Sequence, residues 1–461
     1  MKVKVRIAPS PTGFLHVGNA QSALYNWLFT RKNKGNFYLR IEDTDKERST
    51  KEYEHSILDA LNWLGLKWDG NLVRQSDNLK RHGELLEQLL KEGKAFFCHH
   101  SQEELEKERK EQEENKEAPR HTCEYKNTNK GKETGGIIRL LVDEKSDRKI
   151  YFDDQIRGKV EFKANLLGDF SIARSIENPL YHFAVVVDDI DMEITHVIRG
   201  EDHISNTPKQ ILIYEALGKV PPNFAHLPLI LAPDHSKLSK RHGGTAVIDY
   251  QKDYLPEAML NFLGSLGYTF SKELLTKDEM VQEFELKKVH KSGAIFDIKK
   301  LNWINSQYIK NLPASKLVSL PAFKNVPENA LTLITERLEK LSDVQNFDYF
   351  WKEPEYDPDL LNWKNFSKDE IKNSLKEVDA IVKSSVFNNK EDLRSVLDDL
   401  GKKLGDSVKL SNDNRGASRG LVYWPLRVAL TGKEKSPDPV DIAFVLGKQK
   451  VIERINKALG K

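Results

Sequence analysis

The chain has 461 residues, 39% hydrophobic and 31% charged, a soluble globular composition long enough for about two to four domains with sizeable cores. Lys and Arg total 72 against 70 Asp and Glu, a net charge of +2; this excludes a uniformly basic or acidic chain and is neutral on nucleic acid, because a basic face can be balanced by acidic surface elsewhere. No apolar run approaches a membrane span, MKVKVRIAPSPTG lacks the apolar core of a signal peptide and implies a cytoplasmic protein, and two cysteines, Cys98 and Cys123, are too few for a disulfide framework.

VKVRIAP is a short strand stopped by Pro9, and from about Asn19 to Arg31 the residues Leu24, Trp27 and Leu28 recur at helical spacing. FYLRIED (37–43) is a second strand. Ser49 and Thr50 are candidate caps for a helix with Ile57, Leu58, Leu61 and Leu64 on one face. Strand, helix, strand, helix opens a parallel α/β sheet. The rhythm then breaks. A helix from about Leu79 ends at Gly93, QEELEKERKEQEENKE (102–117) is a solvated helix, and IIRLLV, IYFDD and GKVEF are strand-like. This block, about 71–180, is an insertion in the sheet domain. YHFAVVVDD (181–189) and THVIRGEDH (195–203) resume sheet-like runs. NTPKQILIYEALG follows as a helix, with Asn206 or Thr207 as cap, Pro208 in the first turn and Gly218 at the end. Past about residue 235 the pattern is mostly helical. Leu331, Ile334, Leu338, Leu341 and Val344 fall at spacings of three and four, and SKDE (367–370) is a capping box ahead of Ile371, Leu375, Val378 and Ile381. The C-terminal region therefore reads as an α-helical domain.

Two stretches carry chemistry. RIAPSPTGFLHVGNA (6–20) lies between strand and helix at the top of a parallel sheet, where open α/β sheets bind ligands. Gly13 and Gly18 allow close backbone approach, a helix N-terminus suits phosphate, and His16 can donate to an oxygen of a reacting phosphate. HSKLSKRHGG (235–244) gathers Lys237, Ser239, Lys240 and Arg241 beside two glycines, as a loop closing over a polyphosphate would. Each stretch alone is matched by a plain alternative, a strand-ending turn and a solvated basic loop; their pairing favours a phosphate site. GASRG (416–420) has the spacing of a nucleophile elbow but follows the polar SNDNR rather than a buried strand, which excludes a serine hydrolase. LTGKEK has Glu434 where a Walker A loop needs Ser or Thr.

With both stretches placed, the chain resembles the bacterial-type glutamyl-tRNA synthetases, which are class I aminoacyl-tRNA synthetases. LHVGN is similar to the HIGH signature, with Asn19 in place of its second histidine, and KLSKR to KMSKS. The resemblance runs on in order through RIAPSPTG, LRIEDTD, YHFAVVVDD, HVIRGEDH, KLNWIN and WPLRVALTG. It implies ligation of L-glutamate to tRNA(Glu) through a glutamyl-adenylate, with ATP and Mg²⁺. It implies a Rossmann-like parallel-sheet catalytic domain in two halves, 1–70 and 181–234, interrupted by an acceptor-binding α+β insertion at 71–180. A stem-contact region at 235–312 and an all-helical anticodon-binding domain at 313–461 follow. His16, Gly18, Asn19, Asp202, His203, Ser239, Lys240 and Arg241 are implied at ATP, with His16, Lys237 and Lys240 in catalysis. Arg6, Ala8, Ser10, Glu42, Tyr181 and Arg199 are implied at glutamate, Arg6 on the side-chain carboxylate, Arg199 on the α-carboxylate and Glu42 on the ammonium. Arg415, Arg419 and Arg427 are RNA-contact candidates or, individually, surface salt bridges. A cytoplasmic monomer is expected. The rivals are an enzyme that also charges tRNA(Gln), and a nucleotidyltransferase with a similar opening motif.

Cys98, His100, His121 and Cys123 form a Cys-x-His and His-x-Cys array across the charged segment. Four N and S ligands are what a closed structural zinc site wants; the alternative is two free thiols beside surface histidines. Some members of the family bind zinc here through Cys-x-Cys, a tyrosine and a final cysteine, so His100 and His121 would replace the second cysteine and the tyrosine.

Overall fold

β1 (Lys4–Ile7) and β2 (Asn36–Ile41) pair in parallel, Arg6 opposite Tyr38, with α1 (Val17–Lys32) as the crossover between them. The computed structural model describes residues 2–460 except 118, 143–147, 240, 242–243, 365, 385–388 and 408–414. It divides into two compact units, Met1–Ile304 and Asn305–Lys461.

In the first unit α2 (Lys51–Trp63) is capped by Thr50, whose hydroxyl accepts the Tyr53 N–H, and buries Ile57 and Leu61. β3 (Val73–Arg74) pairs in parallel with β2. The parallel sheet thus continues to Arg74. α3 (Leu79–Lys91) precedes β4 (Ala95–Cys98), and α4 (Gln102–Glu114) buries none of its residues, as its composition demands. β5 (Ile137–Leu140) follows, then the antiparallel hairpin of β6 (Lys149–Asp154) and β7 (Gly158–Lys163). β8 (Ser171–Ser175) and β9 (Asn178–Pro179) complete an antiparallel sheet in the order β4-β5-β8-β9.

Tyr181–Asp191 is a helix, α5, not the strand expected from YHFAVVVDD. Phe183, Val185, Val186 and Val187 are all buried, packed among residues of α3, β8 and the sheet. A helix buried on every side loses its polar stripe, and an unbroken apolar run of this length has no period that separates it from a strand. β10 (His196–Gly200) is a strand as expected, and its chain continues as a 3₁₀ turn over Glu201–Asn206. α6 (Thr207–Ala216) carries Pro208 in its first turn and is followed by Gly218 at φ 67°. β11 (Asn223–Leu227) pairs in parallel with β10. The Thr195 N–H donates to Lys4 O at 2.9 Å, which ties β10 alongside β1. The chain therefore leaves β1 toward β2 on one side and β10 toward β11 on the other. A crevice opens between their C-terminal ends, the place where such sheets bind ligands. β12 (Ile230–Leu231) leads into the basic loop. α7 (Pro256–Ser265), α8 (Lys277–Glu283), β13 (Ala294–Ile295), paired in parallel with β12, and α9 (Ile298–Lys310) follow.

The second unit is helical. Leu331, Ile334, Leu338, Leu341 and Val344 are all buried, but not on one helix. After α10 (Ala314–Leu317), α11 (Leu331–Thr335) carries the first two, Leu338 lies in the connection beyond it, and a 3₁₀ stretch over Leu341–Phe350 carries the last two. α12 (Lys368–Ser384) starts at the predicted box. Ser367 N–H donates to Glu370 Oε2 at 2.7 Å and Glu370 N–H returns to Ser367 Oγ at 3.3 Å. Ile371, Leu375 and Val378 are buried, with Val382 rather than Ile381 continuing the face. α13 (Lys390–Ser407), α14 (Arg415–Thr431), α15 (Pro439–Leu446) and α16 (Lys448–Leu459) complete it. Ser418 lies within α14, which spans Arg415–Thr431, and so does not sit at a strand-to-helix turn as a nucleophile elbow requires.

Candidate active site

The cleft between β1 and β10 has a volume of about 600 Å³. Arg6, Ala8 and Ser10 reach it from β1 and the turn beyond, and His16, Gly18 and Asn19 from the start of α1. Glu42 follows β2, Tyr181 opens α5, and Arg199, Asp202 and His203 end β10. Lys237 and Ser239 come from the basic loop. Almost every residue singled out in the sequence thus converges on one cavity. Arg241 does not line it; it is exposed and donates to Ser236 Oγ at 3.3 Å. Lys240 lies outside the described residues. Gly13 is not at the wall either, and Asp43 instead accepts the N–H and hydroxyl of Ser76 at 2.8 and 2.6 Å.

Backbone pairing stitches the two stretches together. Val17 N–H donates to Thr245 O and Val247 N–H to Leu15 O, both at 2.9 Å. The basic loop is held at its base by a tight pairing in which Leu238 N–H donates to Ile230 O at 3.1 Å. α1 starts at Val17, two residues earlier than expected, because His16 is its cap: Nδ1 accepts the Gly18 N–H at 3.0 Å. A Cβ on Gly18 would sit 3.3 Å from that nitrogen. Burial, with Lys237 nearby, pushes the His16 imidazole below its ordinary range. A neutral ring accepting through Nδ1 carries its proton on Nε2 and is a donor there. Lys237 Nζ lies 3.1 Å from Asp202 Oδ2, and although burial pushes the Asp202 carboxyl up, this contact holds it below its usual range.

Arg6 and Glu42 are set in a buried ionic network that sequence reasoning missed. Arg6 lies bidentate on Asp189, Nε to Oδ1 at 3.0 Å and Nη2 to Oδ2 at 3.2 Å. Arg40, fully buried, bridges Asp189 at 2.6 Å and Glu42 at 3.0 Å. Asp188 accepts from Gln75 at 2.7 Å and Asn78 at 2.8 Å and meets His82 Nε2 at 2.7 Å. Burial pushes Glu42 up despite Arg40 and Arg6; Asp189, equally buried, is held low by both arginines. The available signal was the pair of aspartates closing an apolar run: charge at a predicted core position demands partners.

Arg199 is different. Its partners are all neutral: His226 Nε2 at 3.3 Å, Thr207 Oγ1 at 2.8 Å and Gln210 Oε1 at 2.8 Å. Its Nη1 is buried with no partner among the described residues, and burial lowers its pKa. A buried guanidinium without a carboxylate is costly unless an anion completes it. Tyr181 Oη lies 3.3 Å from His203 Nδ1, and burial beside Arg199 takes His203 down to about 4.

A second cluster stands in the insertion. One ligand atom from each of Cys98, His100, His121 and Cys123 lies within 4.8 Å of the others. Cys98 Sγ is 3.5 Å from His100 Nδ1 and 3.6 Å from His121 Nε2, and Cys123 Sγ is 3.7 Å from His100 Nδ1. Zinc bonds of about 2.0 and 2.3 Å in a tetrahedron put neighbouring ligands roughly 3.3–3.8 Å apart. Glu108 Oε2 on α4 accepts from His121 Nδ1 at 2.5 Å, which turns Nε2 toward the cluster, the usual outer-sphere arrangement of a metal-bound histidine.

In the second unit Arg419 pairs with Asp398 at 3.0 Å, a surface salt bridge, and Arg427 donates to Glu434 O at 3.4 Å. The side chain of Arg415 lies outside the described residues. Among the described residues, no helix is long and apolar enough to cross a membrane.

Residues 2–303 match the family described as tRNA synthetases class I (E and Q), catalytic domain, and residues 279–459 the anticodon binding domain family. The chain is 40% identical to glutamate–tRNA ligase 2 of Thermoanaerobacter pseudethanolicus, over 99% of this chain and 98% of that protein. It is 40% identical to glutamate–tRNA ligase of Carboxydothermus hydrogenoformans, over 98% and 99%. A crystal structure of a glutamate tRNA ligase from Elizabethkingia meningosepticum in complex with its amino acid matches with a TM-score of 0.85 at 33% identity, covering all of both chains.

Proposed function

The chain belongs to the glutamyl-tRNA synthetases of class I and ligates glutamate to tRNA with ATP, and we propose that the β1–β10 cleft carries out the activation step. Arg199 supports this most directly: a buried guanidinium with only neutral hydrogen-bond partners and an unpartnered Nη1 among the described residues suits a carboxylate. In this reading Arg199 takes the α-carboxylate, Arg6 the side-chain carboxylate and Glu42 the ammonium. Ala8, Ser10 and Tyr181 line the pocket around them.

ATP enters as its Mg²⁺ complex. His16 Nε2–H donates to a phosphate oxygen, and Gly18 and Asn19 border the phosphates. Lys237 and Ser239 supply the basic side of the cleft, Lys240 and Arg241 of the same stretch are assigned to the phosphates by their residue types, and Asp202 and His203 lie toward ribose and adenine. A carboxylate oxygen of glutamate attacks the α-phosphorus, the bond to the bridging oxygen breaks, and pyrophosphate leaves with its charge neutralised by the lysines. The terminal adenosine hydroxyl of tRNA then attacks the acyl carbon, AMP leaves, and the hydroxyl proton passes to solvent. No enzyme nucleophile is needed; positioning and charge neutralisation carry the rate.

The insertion would hold the acceptor end of tRNA(Glu), the region from 235 to 312 its stem, and the helical unit its anticodon. Cys98, His100, His121 and Cys123 fit zinc in number, type and spacing. A bound Zn²⁺ would supply a structural crosslink there, distant from the chemistry. The enzyme acts as a cytoplasmic monomer in this reading. Near-full-length identity to glutamate–tRNA ligases speaks against a nucleotidyltransferase. Glutamate-dependent charging of purified tRNA(Glu) and tRNA(Gln) tests the reading. Charging of neither would overturn it, and charging of both would make the enzyme non-discriminating.

A further inference from the structure

Arg199 is held from behind by a residue of the insertion that it never touches. His226 on β11 is fully buried and presents Nε2 to Arg199 Nε at 3.3 Å. Its other nitrogen, Nδ1, lies 2.6 Å from Asp154 Oδ2. Asp154 ends β6, in the insertion, and is itself buried. A carboxylate only accepts, so it fixes the proton on Nδ1 and leaves Nε2 as the acceptor that Arg199 Nε–H requires. The other carboxylate oxygen, Oδ1, accepts the N–H groups of Ile156, Arg157 and His226 at 2.9, 2.8 and 3.3 Å. These bonds seat the β6–β7 turn against β11, and Gln155 N–H adds a bond to Phe224 O at 2.9 Å. Arg157, paired with Glu201, donates to His226 O at 3.3 Å.

We propose that Asp154 and His226 are positioning residues for substrate: a carboxylate–imidazole relay sets the tautomer that orients Arg199, so that the β6–β7 hairpin of the insertion governs affinity for glutamate without contacting it. The relay also explains why Arg199 has no carboxylate of its own. Among the described residues no carboxylate hydrogen-bonds to it, Asp154 reaching it through the imidazole of His226, and its Nη1 stays available to a ligand. Arg6, by contrast, is paired directly with Asp189. Replacing Asp154 by Asn either turns an amide N–H toward Nδ1, forcing the proton onto Nε2 against Arg199, or flips and abandons the backbone N–H groups of the turn.

The proposal rests on the reading of Arg199 as the α-carboxylate site, and the test separates the two. The full-length enzyme, its His226→Leu, His226→Gln and Asp154→Asn variants are compared in tRNA charging for KM of glutamate and of ATP. Inhibition constants are measured for glutamol, which lacks the α-carboxylate, and for 2-aminobutyrate, which lacks the side-chain carboxylate. A hydrogen bond to a charged group is worth about one to two orders of magnitude in affinity. His226→Leu and Asp154→Asn are expected to raise KM for glutamate by about 10- to 100-fold, weaken 2-aminobutyrate in parallel, and leave glutamol and ATP within about twofold. His226→Gln, which returns an acceptor near Nε2, should recover most of the loss. If 2-aminobutyrate is spared and glutamol weakened, the relay stands and the carboxylate assignment falls. If both analogues weaken alike, or glutamate KM changes less than about twofold, the relay is overturned.

Discussion

His16 accepts the Gly18 N–H through Nδ1 at 3.0 Å, so one ring both caps α1 and leaves Nε2–H for a ligand. The two roles separate in His16→Asn. Asparagine is among the best caps, so stability should change by less than about 1 kcal/mol. The outward donor is lost, and glutamyl transfer should fall by roughly a hundred- to a thousand-fold. Thermal unfolding together with ATP–pyrophosphate exchange checks it; a stable variant with near-normal exchange would remove His16 from the chemistry.

Arg6→Ala should weaken glutamate use strongly while ATP KM stays near its normal value. The substrate carboxylate loses its cation, and Asp189 keeps only Arg40. Losing one partner of a desolvated pair costs about 2–5 kcal/mol. Steady-state kinetics at saturating tRNA give the comparison. An unchanged kcat/KM for glutamate would make Arg6 a purely structural partner of Asp189.

Protein prepared without chelator should carry about one zinc per chain, as four N and S ligands imply. Glu108→Gln should weaken zinc by about 10- to 100-fold, because it loosens His121 without removing a ligand. Cys98→Ser should release the metal and reduce tRNA charging more than ATP binding. Elemental analysis showing less than about a tenth of an equivalent of zinc, with none taken up on addition, would mean that the four side chains are only a buried polar cluster.

His182 and His203 both sit at about 4 instead of 6.5, chiefly from burial, with Lys209 acting on the first and Arg199 on both. Between those values the unfolded chain binds a proton at each that the folded chain refuses. Stability from this source is complete above about pH 6.5 and is lost as the pH falls toward 4, on the order of 1–3 kcal/mol for each ring. Denaturant titrations at several pH values should show the slope, and His182→Asn with His203→Asn should flatten it. A double variant with the wild-type slope would assign the acid sensitivity to other groups.

The elements most legible in the sequence were those whose signal is local. Thr50 and the Ser367–Glu370 box start helices by satisfying backbone N–H groups a few residues away, so their effect is written within one turn of chain. α4, charged throughout, had no face to bury. α5 was misread for the opposite reason: its surroundings, not its own pattern, supply the burial that makes it helical. The divided segment at Leu331–Phe350 shows the same limit, since its five apolar positions are all buried, two on α11, two on the 3₁₀ stretch and Leu338 in the connection between them.

The candidate site divides along the same line. The pairing of RIAPSPTGFLHVGNA with KLSKR pointed to phosphate chemistry, and the family resemblance implied carboxylate recognition by Arg6 and Arg199, because a glycine-flanked turn and a guanidinium each have chemistry of their own. Only the tertiary structure decided which charges are neutralised. Arg6, Arg40, Glu42 and Asp189 come from three separate elements and meet in a buried space, whereas the hydrogen-bond partners of Arg199 among the described residues are the neutral His226, Thr207 and Gln210. The strength of a charge in a protein depends on distance and burial, and neither is a property of any short stretch of sequence.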